Sequence, residues 1–154
     1  MAIERPASVS RAGRPQVPPA AVHLLAAARH GLAEAATSTR PGERYASAHL
    51  AALRCAAAVL AARARPELPG NRRSRRPRNA WALLTEVAPE LNEWAAFFAA
   101  GAAKRAAAEA AIQNAVSSRE ADDLLRDVET FLALAETTIG IAHQTALTVG
   151  AQAS

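Results

Sequence analysis

One cysteine in 154 residues excludes an intramolecular disulfide and a CxxC zinc site, and makes a reducing cytoplasm the expected compartment. Strand-favouring residues are scarce and roughly a quarter of the chain is alanine, so a mostly helical domain is expected rather than a sheet fold. No complete catalytic or metal-binding motif occurs, so no cofactor or metal is expected. The opening run Met-Ala-Ile-Glu-Arg-Pro has no apolar stretch ahead of its prolines, and no uncharged stretch reaches the roughly eighteen residues of a bilayer span. A soluble, unsecreted protein without a membrane partner is the expectation. The length suits one domain built on one core.

What the chain does have is concentrated arginine. Residues 63–78 hold seven arginines against one glutamate, a local charge of +6 in a chain whose net charge is +4, so the remainder carries −2. Pro66, Pro69, Gly70 and Pro77 keep this stretch from being helical throughout, and it reads as a basic loop offered to something anionic. Arg72, Arg73, Arg75, Arg76 and Arg78 are the candidate contacts. They suit an RNA or DNA phosphate backbone, bound by bidentate hydrogen bonds with release of counterions, and would serve an acidic protein partner equally well. No aromatic interrupts the run, which argues against base stacking.

Residues 1–18 carry Arg5, Arg11, Arg14, Pro6, Pro15 and Pro18 with little to bury, and are expected to be a disordered basic tail. The helical domain is expected over 19–140. A first helix runs from Pro19 to about Thr37, with Leu24, Leu25, Ala28, Leu32, Ala35 and Ala36 on one side and His23, His30 and Glu34 opposite. A second, over 43–64, places Tyr45, His49, Ala52, Ala56, Val59 and Leu60 inward, with Glu43, Ser47 and Arg54 in water. The third, over 80–112, holds Leu84, Val87, Leu91, Trp94, Ala95, Phe98 and Ala102 in one stripe through Pro89, where a kink or break is expected. Four of the six aromatics fall here, so this segment is expected at the centre of the core. Ser117 and Glu120 fit a capping box that starts a fourth helix. Its stripe is Ala121, Leu124, Leu125, Val128, Phe131, Leu132, Ala135 and Ile139, and Gly140 is either its stop or a weak point before a tail or helical extension over 141–154. Four amphipathic helices predict an all-α, antiparallel up-and-down bundle.

The run Arg44-Tyr45-Ala46-Ser47-Ala48-His49-Leu50-Ala51-Ala52-Leu53-Arg54 resembles the second helix of HEPN domains. So do Trp81-Ala82-Leu83-Leu84, Ala88-Pro89-Glu90-Leu91-Asn92-Glu93-Trp94, Phe97-Phe98-Ala99-Ala100-Gly101 and Arg119-Glu120-Ala121-Asp122-Asp123-Leu124-Leu125, together similar to a small HEPN subfamily of high-GC, actinobacterial-type bacteria. The resemblance spans about residues 20–140. It implies a helical bundle, commonly a homodimer, working on or beside nucleic acids or nucleotides. Catalytic members carry an arginine followed four to six residues later by a histidine, near the last helices. Here that place is empty: Arg119 meets no histidine before His143, and Arg78-Asn79 leads into Trp81 and Leu83. Only Arg44 and His49 have the spacing, on the second helix.

Histidine and arginine can move the 2′-hydroxyl proton and stabilise a phosphorane without a metal, so Arg44 and His49 are the candidate pair for a ribonuclease. Five residues of helix turn them about 140° apart, however, which places His49 mid-stripe as a hydrogen-bonded core residue. His23 and His30 lie about 10 Å apart along their helix, too far for one metal, and His30 with Glu34 reads as a solvated pair. Asp122, Asp123 and Asp127 read as surface carboxylates favoured near a helix N-terminus. Trp81 and Trp94 read as packing residues. The function expected is a non-catalytic binding or adaptor module acting through the arginine loop, with two alternatives: a ribonuclease using Arg44 and His49, or a structural subunit of a complex in DNA metabolism.

Overall fold

Pro19, whose ring presets a helical φ and whose missing N–H costs nothing in a first turn, opens α1 (Pro19–Thr37). The computed structural model describes residues 17–63 and 79–140; the arginines at 65–78 and the expected tails over 1–16 and 141–154 lie outside the described residues. Ser38, Thr39 and Arg40 connect α1 to α2 (Pro41–Ala62), short enough to force the two into an antiparallel pair. Their shared face is built from small residues: Ala28, Gly31 and Ala35 against Ala48, Ala51, Ala52 and Cys55, all buried. A Cβ on Gly31 would sit 3.7 Å from that of Ala51 and 3.3 Å from the Arg54 guanidinium, so the close approach depends on its absence.

The second helix is buried on more than the one stripe expected. Ala48, Ala51, Cys55 and Ala58 are covered as well as Tyr45, His49, Ala52, Ala56 and Val59, because α2 packs against α1, α3, α5 and α6. It, not the aromatic third segment, is the bundle's central rod. Leu60 stays half-buried, and Arg54, expected in water, is half-buried with its guanidinium on the Ala27 carbonyl at 3.4 Å. By length and composition α2 could also cross a membrane, with a mean hydropathy of 1.4, but half of that window is buried inside the bundle.

The third segment is three helices, α3 (Ala80–Val87), α4 (Asn92–Ala100) and α5 (Ala102–Glu109), with a 3-10 turn at Pro89–Leu91. Asn79 caps α3, its side chain accepting from the Ala82 amide at 2.8 Å. The break at Pro89 is as expected: Ala88 is pushed to φ −132° and ψ 74°, out of the helical region, as a residue before proline prefers. A second break at Gly101 was not. It turns α5 out of phase, so Ala102 is exposed instead of continuing the stripe, and the helix ends at Glu109 rather than Ile112.

The capping box at Ser117 and Glu120 is present in both directions, and α6 (Ser118–Ile139) ends at Gly140, whose φ of 98° is the left-handed C-cap glycine allows. Ala121, Leu124, Val128, Phe131 and Ala135 are buried, with Leu125, Leu132 and Ile139 half-buried beside them. Phe98 and Phe131 meet at 5.0 Å between ring centroids, and Trp81 stacks on Phe98 at 5.0 Å and 23°. The described residues form an all-α up-and-down bundle with no strand, in which the broken α3–α5 run takes the place of a fourth rod.

Candidate functional site

Arg44 stands in the first turns of α2, three-quarters buried, and every arm of its guanidinium is engaged. Its Nε donates to the Ala35 carbonyl at 3.2 Å, one terminal nitrogen donates to the Ser38 carbonyl at 2.7 Å, and the other pairs with Asp122 on α6. The two carbonyls belong to the last turn of α1 and the residue after it, so Arg44 caps that C-terminus while tying α2 to α6. Replacing Arg44 with alanine should cost about 1–3 kcal/mol, since it takes the guanidinium from the Asp122 carboxylate and the Ser38 carbonyl and leaves the Ala35 carbonyl only the Ser38 amide. Thermal denaturation checks this.

His49 is 1% exposed. Its Nε2 donates to the Phe98 carbonyl at 3.0 Å, and because a carbonyl can only accept, the neutral ring carries its proton there and leaves Nδ1 a bare acceptor. That Nδ1 is buried with no partner. Trp81 and Phe98 meet the ring edge-on at 6.0 Å each, and Tyr45 stacks at 6.5 Å. Burial holds the His49 pKa below its ordinary 6.5; the Phe98 carbonyl opposes this, Arg105 reinforces it and Glu109 opposes it. The folded state therefore resists a proton that the unfolded chain accepts near pH 6.5, and stability from this group is lost as pH falls from about 6.5 toward the depressed folded value. His49→Gln should flatten that part of the pH profile, measured by denaturant midpoints between pH 7 and 5.

Above this ring lies a pocket of about 250 Å³ lined by Tyr45, His49, Phe97, Phe98, Ala100, Gly101, Lys104 and Leu124. At Gly101, one of these lining residues, a Cβ would fall 3.0 Å from the Tyr45 hydroxyl and 3.8 Å from His49 Cδ2. At the rim Lys104 is paired with Glu120. Arg44 is not among the residues that line this pocket, and its guanidinium is spent on Ala35, Ser38 and Asp122. A substrate phosphate there would meet a neutral ring, a phenol raised above its usual pKa by burial, and one neutralised lysine.

The other sequence candidates separate clearly. His30 and Glu34 form an exposed pair at 3.1 Å, and among the described residues no three His, Cys, Asp or Glu side chains group as metal ligands. Cys55 is buried and its thiol pushed up to about 12, chiefly by desolvation, which removes it as a nucleophile. Asp122 and Asp123 pair with Arg44 and Arg126. Trp81 is 5% exposed and packed, whereas Trp94 is only half-buried and opens onto the surface between α4 and α6. Arg72, Arg73, Arg75, Arg76 and Arg78 lie outside the described residues.

No curated protein and no solved structure matches the chain. The family model described as SAV_6107-like HEPN matches residues 35–136, a span that runs from the end of α1 through most of α6 and takes in Arg44, His49 and the aromatic core. With that match covering well over half of an all-α bundle, the chain belongs to the HEPN family.

Proposed function

We propose that this HEPN domain is a non-catalytic binding module that holds an RNA or DNA phosphate backbone through Arg72, Arg73, Arg75, Arg76 and Arg78. The observation that carries this is where positive charge remains to be used. Residues 17–63 and 79–140 contain nine cationic side chains against twelve acidic ones. Eight of the nine are already held: Arg29 by Glu136, Arg40 by Glu43, Arg44 by Asp122, Arg63 by Glu90, Lys104 by Glu120, Arg105 by Glu109, Arg126 by Asp123 and Arg54 by the Ala27 carbonyl. A helical body of net charge −3 repels a polyanion, so contact falls to the arginine-rich segment.

The ribonuclease alternative asks Arg44 and His49 to act on one phosphate. Their separate engagements, Arg44 with the Ala35 and Ser38 carbonyls and Asp122, His49 with the Phe98 carbonyl inside the core, favour a structural role for both. Self-association as a homodimer and a cytoplasmic setting complete the reading, both suggested by family membership and cysteine content. Fluorescence anisotropy with labelled single- and double-stranded RNA and DNA over a salt series tests it. Binding that weakens steeply with salt and little with sequence is expected. No binding to any of the four, with an acidic protein retained by the intact chain, would replace the nucleic acid with a protein partner.

A further inference from the structure

A second pocket, of about 310 Å³, opens between α4 and α6 and is lined by Glu93, Trp94, Phe97 and Asp127. Its two rings meet edge to face at 6.3 Å and 87°, and Phe97 is 47% exposed although it is among the largest apolar side chains present. Neither Glu93 nor Asp127 forms an ion pair among the described residues, whereas Glu90 pairs with Arg63, Asp122 with Arg44 and Asp123 with Arg126. Asp127 is pushed above the usual carboxylate range by burial and then by the neighbouring Asp123. A cation placed beside it would offset both. Two aromatic surfaces and two unpaired carboxylates around one recess suit a guanidinium, which stacks on rings and binds carboxylate by paired hydrogen bonds.

The nearest supply of guanidinium is the chain itself. Arg63, the residue after α2, donates to the Val87 carbonyl at 3.2 Å and pairs with Glu90 at 2.5 Å, and Glu90 precedes Glu93 by less than one helical turn. Arg63, the last described residue before the arginine-rich segment, is thus anchored at Glu90, three positions ahead of the pocket residue Glu93. Arg72 follows Arg63 by nine residues, a tether of up to about 30 Å, so reach is no obstacle. We propose that Glu93, Trp94, Phe97 and Asp127 form a binding site for an arginine side chain, and that the arginine comes from residues 64–78 of the same chain.

This site stands independently of nucleic-acid binding, and its test needs none. In the ¹⁵N-labelled full chain the two indole N–H resonances separate the pocket, reported by Trp94, from the core, reported by Trp81. Changing Arg65, Arg72, Arg73, Arg75, Arg76 and Arg78 to glutamine should shift the Trp94 resonance and leave that of Trp81 in place. A peptide of residues 63–78 added to that variant should return Trp94 toward its original position. The double variant Glu93→Gln, Asp127→Asn should show the same shift and no response to the peptide. An unchanged Trp94 resonance in the six-arginine variant overturns the proposal. If the peptide still binds in that case, the pocket takes its cation from another protein, and the assignment to this chain's own segment is wrong.

Discussion

Phe131→Ala should destabilise the domain by about 3–5 kcal/mol, the usual cost of deleting a fully enclosed phenylalanine. The ring is 0% exposed and contacts Phe98 at 5.0 Å, Trp94 at 5.6 Å and Trp81 at 6.2 Å, so it closes the seam between α6 and the α3–α4 corner. Neighbours this large, held on separate helices, cannot collapse into the space left behind. Each kcal/mol moves the midpoint of a domain near 100 residues by about 4 °C or more, so the drop should exceed 10 °C. Phe98→Ala should behave similarly, because Phe98 is 1% exposed and its carbonyl also receives His49. Phe97→Ala, one residue away but half in water, should cost far less. Circular dichroism melts check all three, and a Phe131→Ala protein that melts like the parent would contradict the packing described.

The five substitutions Arg72→Gln, Arg73→Gln, Arg75→Gln, Arg76→Gln and Arg78→Gln should have the largest effect on binding. Each arginine on a phosphate releases about 0.7 to 0.9 counterion, so removing five contacts should flatten the slope of log affinity against log salt by up to about 4.5. Affinity should fall by a similar factor for every sequence, since phosphate contacts carry no base information. The melting temperature should hold, because the core formed by the described residues is built by α1–α6 and all five substitutions replace one polar side chain with another. An unchanged salt slope would mean that these arginines touch no phosphates.

Much of the bundle was legible in the residues, and the misses share a cause. The start of α6 could be read because both halves of its capping box are local, and the break at Pro89 because proline acts on its immediate neighbours. Alanine carries little such information. It is tolerated buried or exposed, so the several covered faces of α2 looked like one stripe with neutral flanks. Gly101 gave no warning of a break: its φ of −81° is helical, and its use is the approach of the Tyr45 hydroxyl, a tertiary fact. The same holds for Arg44, whose carboxylate partner lies 78 residues away. Trp94 and Asp127 read separately as core and surface, and only the packing of α4 on α6 brings them to one pocket. His49 was legible as a buried histidine from its place on the helix, although its acceptor, the Phe98 carbonyl, was not.

The most direct measurement incubates the purified full chain, without metal, with end-labelled unstructured RNA and divides each sample between a native and a denaturing gel. The expected result is RNA that is retarded at low salt on the native gel and full length on the denaturing one. Cleavage products that disappear with His49→Ala, in a variant whose helical signal and melting temperature match the parent, would contradict it and make Arg44 and His49 catalytic.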